Sequence, residues 1–182
     1  MFTHKVDGEI SLKLVTQRDA EEIFDLIERN REHLRKWLGW LDFSTEIETT
    51  YQFIDANLRK FIVDEGLDTA ILYEGKIVGK ISLHTINRTN QSAQIGYMLD
   101  EEYGGRGIMT RAVKPMTDIG MFEYDLHKIE IRAAVGNKKS RAIPERLGYK
   151  KEGRVRSAEW LYDRYVDHVV YGMLRNEWLA RK

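Results

Sequence analysis

The residues best suited to chemistry begin with a glycine cluster, Tyr103-Gly104-Gly105-Arg106-Gly107, set between a strand-like and a helix-like stretch. Glycine lets a backbone approach a ligand closely and turn its amides toward it. A helix starting just beyond adds the positive end of its dipole, so the segment suits an anion of the phosphate or pyrophosphate kind. Two nucleotide motifs fail on the letters. A P-loop needs Gly-Lys-Ser/Thr where the chain has Gly107-Ile108-Met109, and the dinucleotide fingerprint would need its third glycine at Thr110. A second polar cluster, Asn137-Lys138-Lys139-Ser140-Arg141, opens another helix-like segment, where helix N-capping is an ordinary duty for serine. The five histidines (His4, His33, His84, His127 and His168) fall at no metal-ligand spacing, so no metal is expected. With no cysteine, a thiolate nucleophile and a disulfide framework are excluded.

The elements that must position these residues follow from periodicity. Ile10, Leu12 and Leu14 alternate as in a strand, and Thr16 with Asp19 marks a helix start. That helix is expected to carry Ile23, Leu26, Ile27, Asn30, Leu34 and Trp37 on one face. A second start, Thr45 with Glu48, leads a helix bearing Tyr51, Ile54, Leu58 and Phe61 and closing at Gly66. Residues 70–73 and 76–83 flank Glu74-Gly75 as a hairpin, and residues 93–99 alternate as a third strand. A helix over 108–124, a strand over 128–135, a short helix over 138–147 and two strands over 149–160 and 165–174 complete the chain. Pro115 and Pro144 fall inside predicted helices and are expected to kink them. Helices between strands, together with a run of adjacent strands, give an α+β (mixed α/β) class with a largely antiparallel central sheet flanked by helices.

Bulk properties narrow the function. The 182 residues fit one domain, 1–182, and a hydrophobic fraction of 42% supports a packed core. Lys+Arg and Asp+Glu are equal at 29 each, so bulk attraction to nucleic acid or an anionic membrane gets no support. The N-terminal residues lack the apolar core of a secretory signal and no apolar run reaches membrane-spanning length. The expectation is a cytoplasmic protein.

Two stretches then resemble a known family. Ile95-Gly96-Tyr97-Met98-Leu99-Asp100 followed by Tyr103-Gly104-Gly105-Arg106-Gly107-Ile108-Met109-Thr110-Arg111-Ala112 is similar to the acetyl-CoA motif of the Gcn5-related N-acetyltransferases (GNAT). The run from Asn137 through Ser140 to Leu147-Gly148-Tyr149 resembles that superfamily's second signature. Trp37-Leu38-Gly39-Trp40 and Tyr165-Val166-Asp167-His168 point within it to the RimJ/RimL-like branch, the ribosomal-protein N-terminal acetyltransferases. The resemblance implies the GNAT fold, acetyl-CoA as co-substrate and a homodimer. It implies that the backbone of Met98 and Leu99 pairs with the pantetheine arm, and that the amides from Gly104 to Thr110, Ile108 and Met109 included, cradle the pyrophosphate. Asn137 would approach the thioester, and Arg106 and Arg141 are the first candidates to help with the phosphates, ahead of Arg111, Lys114, Lys138 and Lys139. Gly104 departs from the family's usual Gln or Arg, which removes a side-chain contact.

The reaction needs a neutral amine, a polarised carbonyl and a proton for the departing thiolate. The resemblance makes Ser140 the acid. The family's usual glutamate before Gly-Tyr is Gln94 here, which cannot take a proton, so His84 on the adjoining strand is the substitute base. Gln94 would still orient the amine, and Trp37 and Trp40 would line the acceptor groove. An α-amino group with a pKa near 8 costs about 1.4 kcal/mol to neutralise at pH 7, against about 4.6 kcal/mol for lysine. A site without a carboxylate base therefore suits a protein N-terminus. A small amine, such as a polyamine or aminoglycoside, is the alternative acceptor, and a CoA-binding module without catalysis is the alternative class.

Overall fold

The computed structural model describes residues 2–181. Eight strands form one sheet in the order β1-β2-β3-β4-β5-β6-β8-β7. They are β1 (Thr3–Lys5), β2 (Ile10–Leu14), β3 (Leu67–Tyr73), β4 (Lys76–Asn87), β5 (Ser92–Leu99), β6 (Lys128–Ala134), β7 (Lys150–Leu161) and β8 (Arg164–Leu174). Every neighbouring pair is antiparallel except β5 and β6, which run parallel. The largely antiparallel sheet expected from the strand run is present.

Six helices accompany the sheet: α1 (Ala20–Arg29), α2 (Arg31–Arg35), α3 (Ile47–Ile62), α4 (Ile108–Asp118), α5 (Lys138–Arg146) and α6 (Arg175–Leu179). Strand alternation sends Ile71, Ile81, Ile95 and Ile131 to the face covered by α4, and Ala70, Ile77 and Met98 to the face covered by α1 and α3. None of the described helices is long and apolar enough to cross a membrane.

Three local outcomes differ from the sequence expectation. The first helix breaks at Asn30 instead of running to Trp37. The buried Asn30 amide donates to the Leu26 carbonyl and accepts from the Glu101 amide, which diverts the chain into α2 and ties it to the glycine loop. The helix predicted over 108–124 is α-helical through Pro115 to Asp118, then loosens into a π turn over Ile119–Glu123. Short β1 and α6 had no strong periodic signal. The Glu74-Gly75 hairpin is as expected, both residues having positive φ (49° and 83°).

Candidate active site

The site exists because β5 and β6 part company. Only Ser92, Ala93 and Gln94 pair with β6, opposite Lys128, Ile129 and Glu130. Beyond them β5 stays bonded to β4 as far as Leu99, while β6 stays bonded to β8 as far as Ala134. The gap widens into a cleft of about 940 Å³ that runs from the glycine loop, past Tyr97, Asn137 and Ser140, to Trp37, Glu159 and His168.

At one end the glycine loop is shaped for an anion. Gly105 and Gly107 hold positive φ (79° and 72°), and Gly107 is the N-cap residue of α4. First-turn amides, those of Ile108, Met109 and Thr110 among them, have no carbonyl partner within their own helix and are available to a ligand. Gly104, Gly105, Gly107, Ile108, Met109 and Thr110 all line the cleft. Arg106 lines it too, with its guanidinium 5.0 Å from the Tyr103 ring centroid. Arg111 is held at the rim by Asp7 (3.0 Å) and Glu9 (2.8 Å).

In the middle, α5 begins at the gap. Asn137 caps it, its side-chain oxygen accepting from the Ser140 amide at 3.1 Å. Capping therefore falls to Asn137, and the Ser140 hydroxyl is left for other work. That hydroxyl lies 3.3 Å from the Tyr97 hydroxyl, which itself donates to the Ser140 carbonyl at 3.0 Å. Burial pushes the Tyr97 phenol up to about 12, so it stays protonated at any ordinary pH. Tyr97 was passed over as a site residue. The signal for it was parity: it shares a strand face with Ile95, and that face runs under α5.

At the far end stands a pair that sequence reasoning also missed. His168 Nε2 lies 3.0 Å from Glu159 Oε2, and both residues line the cleft. They meet across the β7–β8 ribbon only because the register shifts between Val155 and Glu159. The 37–40 turn packs on the same spot. A Cβ on Gly39 would lie 3.3 Å from Glu159 Oε1 and 3.2 Å from the Trp160 carbonyl, so the turn's backbone sits directly over the carboxylate.

Several sequence candidates are placed elsewhere. Arg141 turns away from the cleft, because its guanidinium donates to the Tyr171 hydroxyl and the Val135 carbonyl, each at 2.9 Å. Lys139 and Arg146 line the cleft in its stead. His84 and Gln94 face each other across β4 and β5, outside the cleft wall. The His84 ring lies behind Gly96, its Nε2 2.9 Å from where a Cβ would stand, and burial lowers its pKa below the ordinary histidine value. Met98 contributes to the wall, but its carbonyl points at Gly79 on β4, 2.4 Å from that glycine's would-be Cβ. By strand alternation the backbone groups facing the gap are those of Tyr97 and Leu99, which corrects the assignment of Met98. Trp37 lines the cleft, whereas Trp40 is not part of its lining and lies near-parallel to Phe53.

The sequence and the fold have counterparts in known proteins. The model of the acetyltransferase (GNAT) domain family matches residues 9–150. The chain belongs to the GNAT acetyltransferase family. It is 37% identical over the whole of both chains to YdaF of Bacillus subtilis (strain 168), by name a ribosomal N-acetyltransferase. To the ribosomal-protein-serine acetyltransferase of Escherichia coli (strain K12) it is 28% identical over 94% of this chain and 96% of that one. Among solved structures, the microcin C7 self-immunity acetyltransferase MccE, in complex with acetyl-CoA and AMP, superposes with a TM-score of 0.88 at 30% identity, covering 93% and 94% of the two chains. Within this acetyltransferase the glycine loop, Ser140 and the Glu159–His168 pair thus share one continuous cleft.

Proposed function

We propose that residues 1–182 act as one catalytic domain that transfers the acetyl group of acetyl-CoA to the N-terminal α-amino group of a protein, of the ribosomal kind that the relatives' names specify. The observation that carries this reading is the single cleft joining an anion-binding loop to a histidine–carboxylate pair by way of Ser140. The free edge of Tyr97 and Leu99 would take the pantetheine arm as an added strand, and the amides of the glycine loop would hold the pyrophosphate. Arg106, Lys139 and Arg146 would add positive charge along the donor half.

The chemistry then divides between two ends of the cleft. The Glu159–His168 pair takes the proton from the acceptor ammonium, with Glu159 orienting the imidazole through Nε2. The amine nitrogen attacks the thioester carbon, the carbon–sulfur bond breaks, Ser140 passes its proton to the departing sulfur, and the second proton shed by the new amide nitrogen restores the serine hydroxyl. An α-amino group is the acceptor this pair can serve at neutral pH, since it costs about 3 kcal/mol less to deprotonate than a lysine. A cytoplasmic location and a homodimer belong to the same reading, supported by resemblance to the RimJ/RimL-like branch; light scattering on the purified protein tests the dimer.

The test is thiol release from acetyl-CoA with short peptides of varied first residue and with a panel of polyamines and aminoglycosides. Turnover on peptides, reduced at least about a hundredfold in Glu159→Gln and His168→Ala, is the expected result. Turnover on small amines alone would replace the protein acceptor, and binding of acetyl-CoA without turnover would favour a non-catalytic module.

A further inference from the structure

The β7–β8 hairpin ends in a tyrosine held in a strained conformation. Leu161 and Arg164 pair across the ribbon, which leaves Tyr162 and Asp163 as the whole connection. The Asp163 amide donates back to the Leu161 carbonyl at 2.6 Å, closing a three-residue turn around Tyr162, whose φ is 61°. A γ-turn with positive φ is the rare, strained form, and glycine enters that region more easily than an aromatic residue. A strained backbone persists only where its surroundings hold it, so the contacts of the side chain become informative.

The Tyr162 ring lies under the Arg35 guanidinium, 3.7 Å from the ring centroid, and its hydroxyl donates to the Leu38 carbonyl. Arg35 in turn forks onto Asp42 at 2.9 and 2.8 Å. Arg31 donates to the carbonyls of Leu41 and Ser44 at 2.7 and 2.6 Å. The segment from α2 to Ser44 is thus one closed unit, and Tyr162 grips it from the hairpin side. Leu38 stands between the two residues of that unit that reach the active site. The Trp37 ring lies 3.5 Å from where a Cβ on Gly136 would stand, next to the α5 cap Asn137. Gly39 lies against Glu159 Oε1, while Oε2 of the same carboxylate meets His168. The Glu159 side chain keeps 33% of its surface open, so its place on β7 does not by itself select one rotamer. Tyr162 does not line the cleft, so any effect it has on the reaction passes through this contact.

We propose that Tyr162 is a positioning residue for acetyl transfer: by holding the Leu38 carbonyl it seats the 37–40 turn on Glu159 and confines that carboxylate to the orientation in which Oε2 meets His168. The inference rests on the reading of the Glu159–His168 pair as the base.

Tyr162→Phe tests it, because the ring under Arg35 stays and only the hydroxyl goes. Single-turnover and steady-state thiol release on peptides should show kcat lowered about tenfold, with the KM for acetyl-CoA within about twofold. Made in Glu159→Gln, the same substitution should add less than about twofold, since the group it positions is already disabled. A hydroxyl with a structural role alone would instead lower Tm and multiply its loss with that of Glu159→Gln. Unchanged kcat in Tyr162→Phe, or losses that multiply in the double variant, overturns the positioning role and leaves the base in place. Full activity in Glu159→Gln removes the base and the positioning role together, so the two failures are distinguishable.

Discussion

Ser140→Ala separates chemistry from structure at the centre of the cleft. The helix cap survives the change, because Asn137 accepts from the Ser140 main-chain amide and not from its hydroxyl. The Tyr97 hydroxyl also keeps a partner, its 3.0 Å bond to the Ser140 carbonyl. What is lost is the longer 3.3 Å contact between the two hydroxyls, so the stability cost is at most about 1 kcal/mol, or roughly 2–4 °C in Tm for a chain of this size. Turnover should suffer far more. A positioned acid contributes about 10²–10⁴ in rate, so kcat for peptide acetylation should fall by about 10²–10³, equivalent to about 3–4 kcal/mol of transition-state stabilisation. The KM for acetyl-CoA should stay within about twofold, since the donor's charge is met at the glycine loop. Thiol release under single and multiple turnover, with thermal unfolding of the same samples, measures all three. Tyr97→Phe should lower kcat in the wild-type background and add little in Ser140→Ala, if Tyr97 works through Ser140. With its pKa at about 12, Tyr97 does not titrate in the assay range, and its loss should leave the pH–rate profile below pH 9 unmoved. Unchanged kcat in Ser140→Ala, or fully additive losses in the double variant, would refute this account.

Other consequences are as direct. Gly107→Ala places a side chain at φ 72°, with no atom within 4 Å of the new Cβ, so the damage is conformational: about 1–2 kcal/mol of stability and a raised KM for acetyl-CoA, read by thermal unfolding and donor titration. The His84 pKa is held below its unfolded value of about 6.5 by burial, so the unfolded chain binds the extra proton. Its contribution to stability is therefore present above pH 6.5 and lost as the pH falls; His84→Gln should flatten the fall in Tm between pH 7 and 5. Lys80→Met leaves the buried Asp68 carboxylate without its cation and with only the Asn57 amide at 3.3 Å, at a cost of about 3–5 kcal/mol that Lys80→Met with Asp68→Asn should largely recover in chemical denaturation.

The legible parts of the molecule were those written in neighbouring residues. The glycine loop and its helix start, the Glu74-Gly75 hairpin and the polar opening of α5 depend on local backbone chemistry, and the sequence carries that chemistry in a few adjacent letters. Alternation also announced each of the longer strands. The errors were of another kind. Asn30 breaks a helix because its side chain finds Leu26 and Glu101 at once, and the second of those lies 71 positions away. Arg141 sits in a basic run beside the cleft, yet the Tyr171 hydroxyl and the Val135 carbonyl draw its guanidinium elsewhere.

The acceptor half was illegible for a stronger reason. Its wall is assembled from the 37–40 turn and the bulged ribbon at Glu159 and His168, two segments whose order in the chain says nothing of their meeting. Sequence logic looked for a base on β5, where Gln94 stands, and on its neighbour, where His84 stands. Both side chains fall outside the cleft wall, so the absence of a carboxylate at Gln94 does not deprive the site of one. Glu159 supplies it from the opposite side of the gap, paired with the imidazole that a bulge brings into register. The preference for an α-amino acceptor consequently stands on the chemistry of that pair, and a variant with glutamate at position 94 should gain little activity on lysine side chains. A large gain in Gln94→Glu, measured on peptides with a blocked N-terminus, would return the base to β5 and overturn the assignment.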